Sequence, residues 1–240
     1  MSELTSRTKL IIGESGVAKL AAAHLLVVGT GGVGGYAVEL LGRAGIGAFT
    51  LVDGDTVEPS NLNRQITALH STIGKYKTTV LAERLKEINP EVKVTSINSF
   101  LDTDDIPALL DSTVYTFIID AIDSVGPKCR LIEEAFRRSI PIISSMGAGA
   151  RIEAAAVRTG KLSDAHHDGL SKAVRKRLSG SGIPKKLDVV FSKEASNPEA
   201  LMPSSEPGGK GVIGTVSWLP AIFGCHIAQF VTEKIGGLYD

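Results

Sequence analysis

The stretch from Leu25 to Gln65, LLVVGTGGVGGYAVELLGRAGIGAFTLVDGDTVEPSNLNRQ, constrains the fold of this chain more than any other. An apolar, β-branched run from Leu25 to Val28 enters Gly29-Thr30-Gly31-Gly32-Val33-Gly34, and a helical pattern continues to Ala44. A second apolar run, Phe49 to Val52, stops at Asp53. This is a strand, a glycine-rich turn, a helix and a second strand ending in a carboxylate. Gly29 and Gly31 let backbone amides approach phosphate oxygens at the positive end of the following helix dipole, and Gly32 and Gly34 complete the turn. Asp53 then falls where a ribose hydroxyl would lie. A GxGxxG alone says little, because glycine clusters in turns for purely steric reasons. Its strand and helix context makes this one a nucleotide-binding turn.

Which nucleotide is a separate question. An NAD enzyme needs no more than Asp53 here, whereas this chain adds a second carboxylate, Asp55, and then Ser60-Asn61-Leu62-Asn63-Arg64-Gln65. That polar cassette is surplus to hydride transfer.

At 240 residues the chain can build one large α/β domain or a domain with a small appendage. Hydrophobic residues at 43% and charged residues at 22% are ordinary for a soluble, ordered protein. The formal charge is zero, so a nucleic-acid partner must be met by a local patch and not by the field of the whole molecule. The two cysteines, Cys129 and Cys225, stand far apart. They exclude a disulfide framework and a four-cysteine zinc site, and they suit a reducing cytoplasm. MSELTSRTKLII lacks the charged start and long apolar core of a signal peptide.

Along the chain, Leu10, Ile11 and Ile12 and the helix-like Gly16 to Ala23 form an amphipathic lead-in, with Arg7 just outside it as a solvated charge on spacing alone. Lys75 to Asn89 predicts a helix with a stop at Pro90, and Val92 to Ile97 alternates as a strand. Asp104 to Leu110 predicts a short helix, and Val114 to Ile119 a buried strand running into Asp120-Ala121-Ile122-Asp123. At the carboxyl end of a parallel strand, Asp123 reads either as a ligand group in the crevice of Gly29 and Asp53 or as a helix cap before Pro127. Pro127 to Arg138 fits a helix and Ile140 to Ser144 a strand, so the alternation argues for a Rossmann-like, doubly wound, mostly parallel sheet with a C-terminal extension.

Beyond residue 150 the texture changes. Ala150 to Val157 reads as a strand, and Leu170 to Leu178 as a helix carrying Lys172, Arg175, Lys176 and Arg177, with Lys185 and Lys186 after the next turn. That basic run is either a solvated face or a nucleic-acid contact. Ser196 to Gly211, rich in Pro, Gly and Ser, predicts a mobile surface loop. Val212 to Val231 has no formal charge, but Pro220, His226 and Gln229 argue for a buried or dimer-forming helix and against a membrane span.

Asp53, Asp55, Asn61, Arg64, Lys77 and Asp123 are all expected at or near the strand ends of one sheet. Arg and Lys neutralise polyphosphate charge, and a carboxylate such as Asp123 suits Mg²⁺. The set fits transfer of AMP from ATP to a carboxylate. At GTGGVG, the Asp53 and Asp55 pair, SNLNRQ, GKYK ending in Lys77, the INP at Ile88 to Pro90, and DAID ending in Asp123, the chain resembles the ubiquitin-activating-enzyme-like adenylyltransferases. That resemblance implies ribose binding by Asp53, triphosphate binding by Asn61, Arg64 and Lys77, Mg²⁺ at Asp123, and Arg7 reaching the ATP site of a neighbouring subunit in a homodimer. It also implies one domain over residues 1–240, with its core at 7–150 and a substrate and dimer part at 151–240.

The chain lacks paired CxxC zinc ligands and has no cysteine between residues 130 and 224, unlike the sulfur-carrier branch of that family. Through AIDSVGPK, GLSKAVRKRL, DVVFSKE and GKGVIGTVSWLPAIFGCH it is similar to the branch that dehydrates tRNA threonylcarbamoyladenosine. What that branch implies is adenylation of a threonyl carboxylate beside the anticodon, followed by ring closure with loss of AMP. The partners it implies are tRNA and a sulfur-relay protein. Activation of a ubiquitin-like carrier tail is the second expectation, and NAD-dependent oxidoreduction the third.

Overall fold

The computed structural model describes residues 3–202 and 211–238. Its first helix, α1 (Ser6–Ala22), bends at Gly13, whose φ of 73° interrupts the helical run. The helix begins ten residues before the Gly16 start expected for it, and takes Arg7 into its first turn, where the side chain is exposed. Then come β1 (His24–Val28), α2 (Gly34–Ala44), β2 (Ala48–Val52), α3 (Lys77–Ile88), β3 (Lys93–Ile97), α4 (Ile106–Asp111), β4 (Phe117–Asp120), α5 (Val125–Arg137) and β5 (Ile142–Ser145). Gly45, left-handed at φ 96°, closes α2 by donating to Gly42 and Leu41 carbonyls.

After β5 the regular alternation ends. Residues 150–157 are not the strand that the sequence suggested: Ala154–Ala156 is a turn of 3-10 helix, and β6 (Val157–Lys161) begins only at Val157. The Ile152 and Glu153 amides that a strand would use in its ladder donate to the Glu194 carboxylate instead. The chain continues through α6 (Gly169–Arg177), β7 (Asp188–Ser192), β8 (Leu201–Met202), β9 (Val212–Ile213) and α7 (Trp218–Gly236). Of the loop expected at 196–211, a 3-10 turn at Pro198–Ala200 and β8 are described, and residues 203–210 lie outside the described residues.

The main sheet runs β3-β2-β1-β4-β5-β7-β6. Every neighbouring pair is parallel except β6 with β7. Parallel strands covered on both faces can be apolar throughout, which is why Leu25 to Val28 is an unbroken run. Leu25 and Val27 face one core with Phe49, Leu51 and Ile119, against Val38 and Leu41 of α2 and Phe223 and Ile227 of α7. Leu26 and Val28 face the other, with Ile118, against Leu131 and Ile132 of α5 and Val174 of α6. The order in which successive strands are added reverses between β1 and β4, which run parallel, and a crevice opens beyond their carboxyl ends.

Helix α7 is the charge-poor segment of the sequence, but residues 212–217 do not belong to it. It packs within the chain, mainly on α2. Gly224 permits the approach, since a Cβ there would lie 2.8 Å from both Tyr36 Cβ and Val33 O. Among the described residues, no helix is long and apolar enough to cross a membrane. Gly224→Val should therefore lower the unfolding free energy by about 2 kcal/mol, as overpacked sites do. Gly126→Ala, whose Cβ would meet nothing within 4 Å, should stay level or gain up to about 1 kcal/mol of helix propensity. Urea denaturation of the two variants beside the parent measures both.

Candidate active site

The crevice is a cavity of about 660 Å³ at the carboxyl ends of β1, β2 and β4. Its floor is the glycine turn. Gly29 has φ 90°, and a Cβ on it would lie 2.6 Å from Ala121 O, so the turn closes directly against the end of β4. A Cβ on Gly34 would lie 1.9 Å from Gly29 O, which brings the first turn of α2 over the floor. Gly31 and Gly32 line the same surface. The N-terminus of α2 thus faces the cavity with the positive end of its dipole, as an anion requires.

Asp53 staples this turn to β2. Its Oδ2 accepts from the Thr30 amide at 2.6 Å and the Thr30 hydroxyl at 2.9 Å, while Oδ1 accepts from the Asp55 amide at 2.9 Å. Asp55 pairs with Lys77, Nζ to Oδ2 at 2.7 Å. The Lys77 side chain is 6% exposed and that of Asp55 51%, so one end of the pair is held and the other is wet. Such a half-solvated pair contributes at most about 1 kcal/mol, and an incoming polyphosphate can compete for the lysine.

The polar cassette forms the next wall. Asn61 is buried at the end of a 3-10 turn, accepting from the Glu58 amide at 3.1 Å and donating to Ser60 Oγ at 3.3 Å. Arg64 Nη1 donates to Ser60 O and Asn63 Oδ1, each at 2.9 Å, which aims the guanidinium along the cavity edge. Gln65 Oε1 is buried with no hydrogen-bond partner among the described residues, an acceptor that a ligand or water would complete. Asp123 is exposed and lines the same cavity, one residue before Ser124, which holds the N-cap position of α5.

The structure therefore brings the four glycines together with Asp53, Asp55, Asn61, Arg64, Lys77 and Asp123 around one cavity. It does not bring Arg7 there; that side chain is exposed on α1 and lines no part of the cavity in its own chain.

Several residues around the site escaped the sequence reasoning. Asp120 and Lys128 form an ion pair with both side chains fully buried, Nζ to Oδ2 at 2.9 Å. Ser144 Oγ donates to Asp120 Oδ2 at 2.6 Å, the Ile122 amide donates to Oδ1 at 3.0 Å, and Lys128 Nζ donates to Ile122 O at 3.0 Å. Every one of these bonds grips the turn that presents Asp123. The only sign in the sequence is a lysine on the inner face of α5, eight residues beyond a strand-end aspartate. Phe100, 72% exposed, lies on the rim with its ring against Gly54, beside Asp53. Its loop after β3 has no periodicity to expose it.

No group of three or more His, Cys, Asp and Glu among the described residues forms a metal cage. The arrangement is one for a phosphorylated nucleotide: backbone amides, an arginine and a lysine for anionic oxygens, with the Asp123 carboxylate on the same cavity. A tRNA threonylcarbamoyladenosine dehydratase of Escherichia coli is 42% identical over 195 residues, 78% of this chain and 72% of that protein. One of Bacillus subtilis is 34% identical over 244 residues, 96% of this chain and 95% of that protein. The crystal structure of the E. coli tRNA N6-threonylcarbamoyladenosine dehydratase in complex with ATP superposes with a TM-score of 0.88 at 36% identity, covering 98% of this chain and 94% of that one. With the ThiF family matching residues 5–238 as well, the chain belongs to the ThiF family.

Proposed function

We propose that this protein is an ATP-dependent tRNA threonylcarbamoyladenosine dehydratase. The observation that carries the reading is the gathering of Arg64, Lys77 and Asp123 around a glycine turn, in a chain similar over nearly its whole length to a dehydratase crystallised with ATP. In the first step a threonyl carboxylate oxygen attacks the α-phosphorus of ATP, and the bond to pyrophosphate breaks. In the second a nucleophilic atom of the carbamoyl group attacks the acyl carbon, its proton is lost, and AMP leaves with the former carboxylate oxygen. The net change is loss of water from the modified nucleoside.

Each residue has a role in this scheme. Asp53 holds the ribose, while Asn61, Arg64 and Lys77 hold the triphosphate and stabilise charge on the departing pyrophosphate. Asp123 fits Mg²⁺, a hard cation commonly bound by one or two carboxylates together with substrate phosphates and waters, and no larger protein cage is needed. When bound, the ion neutralises polyphosphate charge. The scheme requires no enzyme nucleophile, and no cysteine lines the cavity. Cys129 is buried, which pushes its thiol pKa up to about 11, and such a thiol is inert. Both cysteines are unpaired, in keeping with the cytoplasmic location included in this reading.

The tRNA lies along α6 in this reading. Lys172, Lys176 and Arg177 are exposed on that helix, and Lys185 and Lys186 are exposed just beyond it. The reading also includes a homodimer. Leu10 and Ile11 are 84% and 79% exposed on α1, the helix that carries Arg7, and a second copy of the chain would cover them and receive Arg7 at its ATP site.

Two outcomes are expected of the reaction itself. Incubated with ATP, Mg²⁺ and tRNA bearing threonylcarbamoyladenosine, the parent should convert the nucleoside to a product lighter by one water, read by mass spectrometry. Asp123→Ala should lose activity by about 100-fold or more, the size of a lost electrostatic contact to the reacting phosphate, with its melting temperature unchanged. A fully active Asp123→Ala sinks the role given to that carboxylate. ATP–pyrophosphate exchange that depends on a Gly-Gly-tailed carrier protein, with no change in the tRNA, favours the carrier reading instead.

Changing Lys172 and Lys176 to Glu should weaken tRNA binding and flatten its dependence on salt, because fewer counterions are released. Affinity for ATP alone should barely move. Equal salt slopes for variant and parent in filter binding would leave α6 as a solvated face. Light scattering should give twice the chain mass for the parent and a lower mass for Leu10→Asp/Ile11→Asp; a monomeric parent at micromolar concentration removes the role of Arg7.

A further inference from the structure

Arg151 is only 4% exposed, yet among the described residues its hydrogen bonds go to backbone carbonyls alone. Nη1 donates to Gly147 O and Gly149 O, each at 3.0 Å; Nη2 donates to His167 O at 2.5 Å; and Nε donates to Glu194 O at 2.8 Å. Burial lowers its pKa, and the Asp168 and Glu194 carboxylates oppose that effect. The side chain is a planar fork whose donors have fixed directions, so the carbonyls it reaches are fixed relative to one another.

Those carbonyls belong to three separate segments. Gly147 and Gly149 follow β5, and Gly149 lines the nucleotide cavity together with Ala148. His167 immediately precedes Asp168, whose carboxylate caps α6 by accepting from the Leu170 and Ser171 amides. Glu194 follows β7, and its carboxylate holds the amides of Ile152 and Glu153. One guanidinium thus ties the cavity wall to the start of the basic helix.

The backbone on both sides of this tie is strained. Only Ser139, Ala150 and His167 are non-glycine residues with positive φ among the described residues, and two of them flank Arg151's contacts: Ala150 at 59° and His167 at 67°. Each costs of order 1 kcal/mol or more and persists only where its surroundings hold it. The knot extends further, since the Ala150 amide donates to Gly214 O and Ala150 O accepts from the Asn197 amide, each at 2.8 Å. Gly214 adjoins Thr215 on the cavity wall.

We propose that Arg151 is a positioning residue that locks the nucleotide cavity to α6, so that a tRNA held on the helix delivers its carboxylate to the α-phosphate in register. This rests on the dehydratase reading given above. Arg151 touches neither substrate. Its effect is on the distance between them, and a misplacement of about 1 Å costs about 100-fold in rate.

The test is single-turnover dehydration of threonylcarbamoyladenosine-bearing tRNA at saturating ATP and tRNA, with binding of each measured separately. Arg151→Lys keeps the charge but cannot span the carbonyls. It should bind ATP and tRNA within about threefold of the parent yet turn over about 100-fold more slowly. Arg151→Ala should be equally slow and regain rate on addition of millimolar guanidinium, which should not accelerate the parent. An active parent matched in rate by Arg151→Lys overturns the inference alone. So does a loss fully restored by raising ATP or tRNA, because Arg151 would then serve binding and not register. A parent that leaves the tRNA unchanged overturns the dehydratase reading, and this inference with it.

Discussion

At the carboxyl end of β4 the Asp120 carboxylate and the Lys128 ammonium meet with no solvent around either. Removing two charges from water costs several kcal/mol each, and their attraction repays this only when every remaining donor and acceptor finds a partner. Here the partners come from two places: Ser144 of β5, and Ile122 just past β4, whose amide serves Asp120 and whose carbonyl serves Lys128. The pair thereby fixes α5 against the sheet and shapes the turn that carries Asp123. Ala121, in the same turn, sets the closest approach to Gly29. Loss of either charged partner would leave its mate buried and uncompensated, so the floor and one wall of the cavity stand on this interaction.

The sequence revealed those parts of the fold whose physics is local. β1, β2, β4 and β5 are legible because a parallel strand covered on both faces is mainly apolar, even where Thr50, Asp120 or Ser144 interrupts the run. The glycine turn is legible because sterics forbid a Cβ at Gly29 and Gly34. Failures came where a partner distant in sequence decides the structure. Residues 150–157 looked strand-like, but Glu194 captures the Ile152 and Glu153 amides before a ladder can form. The Asp120–Lys128 pair left only a faint sign, since each is an ordinary charged residue until α5 crosses the end of β4.

The candidate site shows the same division. Asp53, Asn61, Arg64, Lys77 and Asp123 could be gathered from motif order, because strand ends in an open α/β sheet converge on one crevice. Motif order said nothing of how they are held before a ligand arrives. Asp53 is engaged by Thr30, and Asn61 by Glu58 and Ser60. Phe100 and Arg151 carry no such signal, because one sits in an aperiodic loop and the other in a strand-like segment that Glu194 holds as a turn.

The engagement of Lys77 by Asp55 has a consequence for selectivity. Without nucleotide the lysine already has a counter-ion, so entry of a phosphate is an exchange of anions and not the filling of a bare positive hole. A singly charged phosphate would gain little over the carboxylate it displaces. A polyphosphate gains by reaching Lys77, Arg64 and the glycine turn at the same time. The carboxylate thus sets a threshold of charge and length that small abundant anions in the solvent do not meet, and it keeps the site open to ATP in their presence.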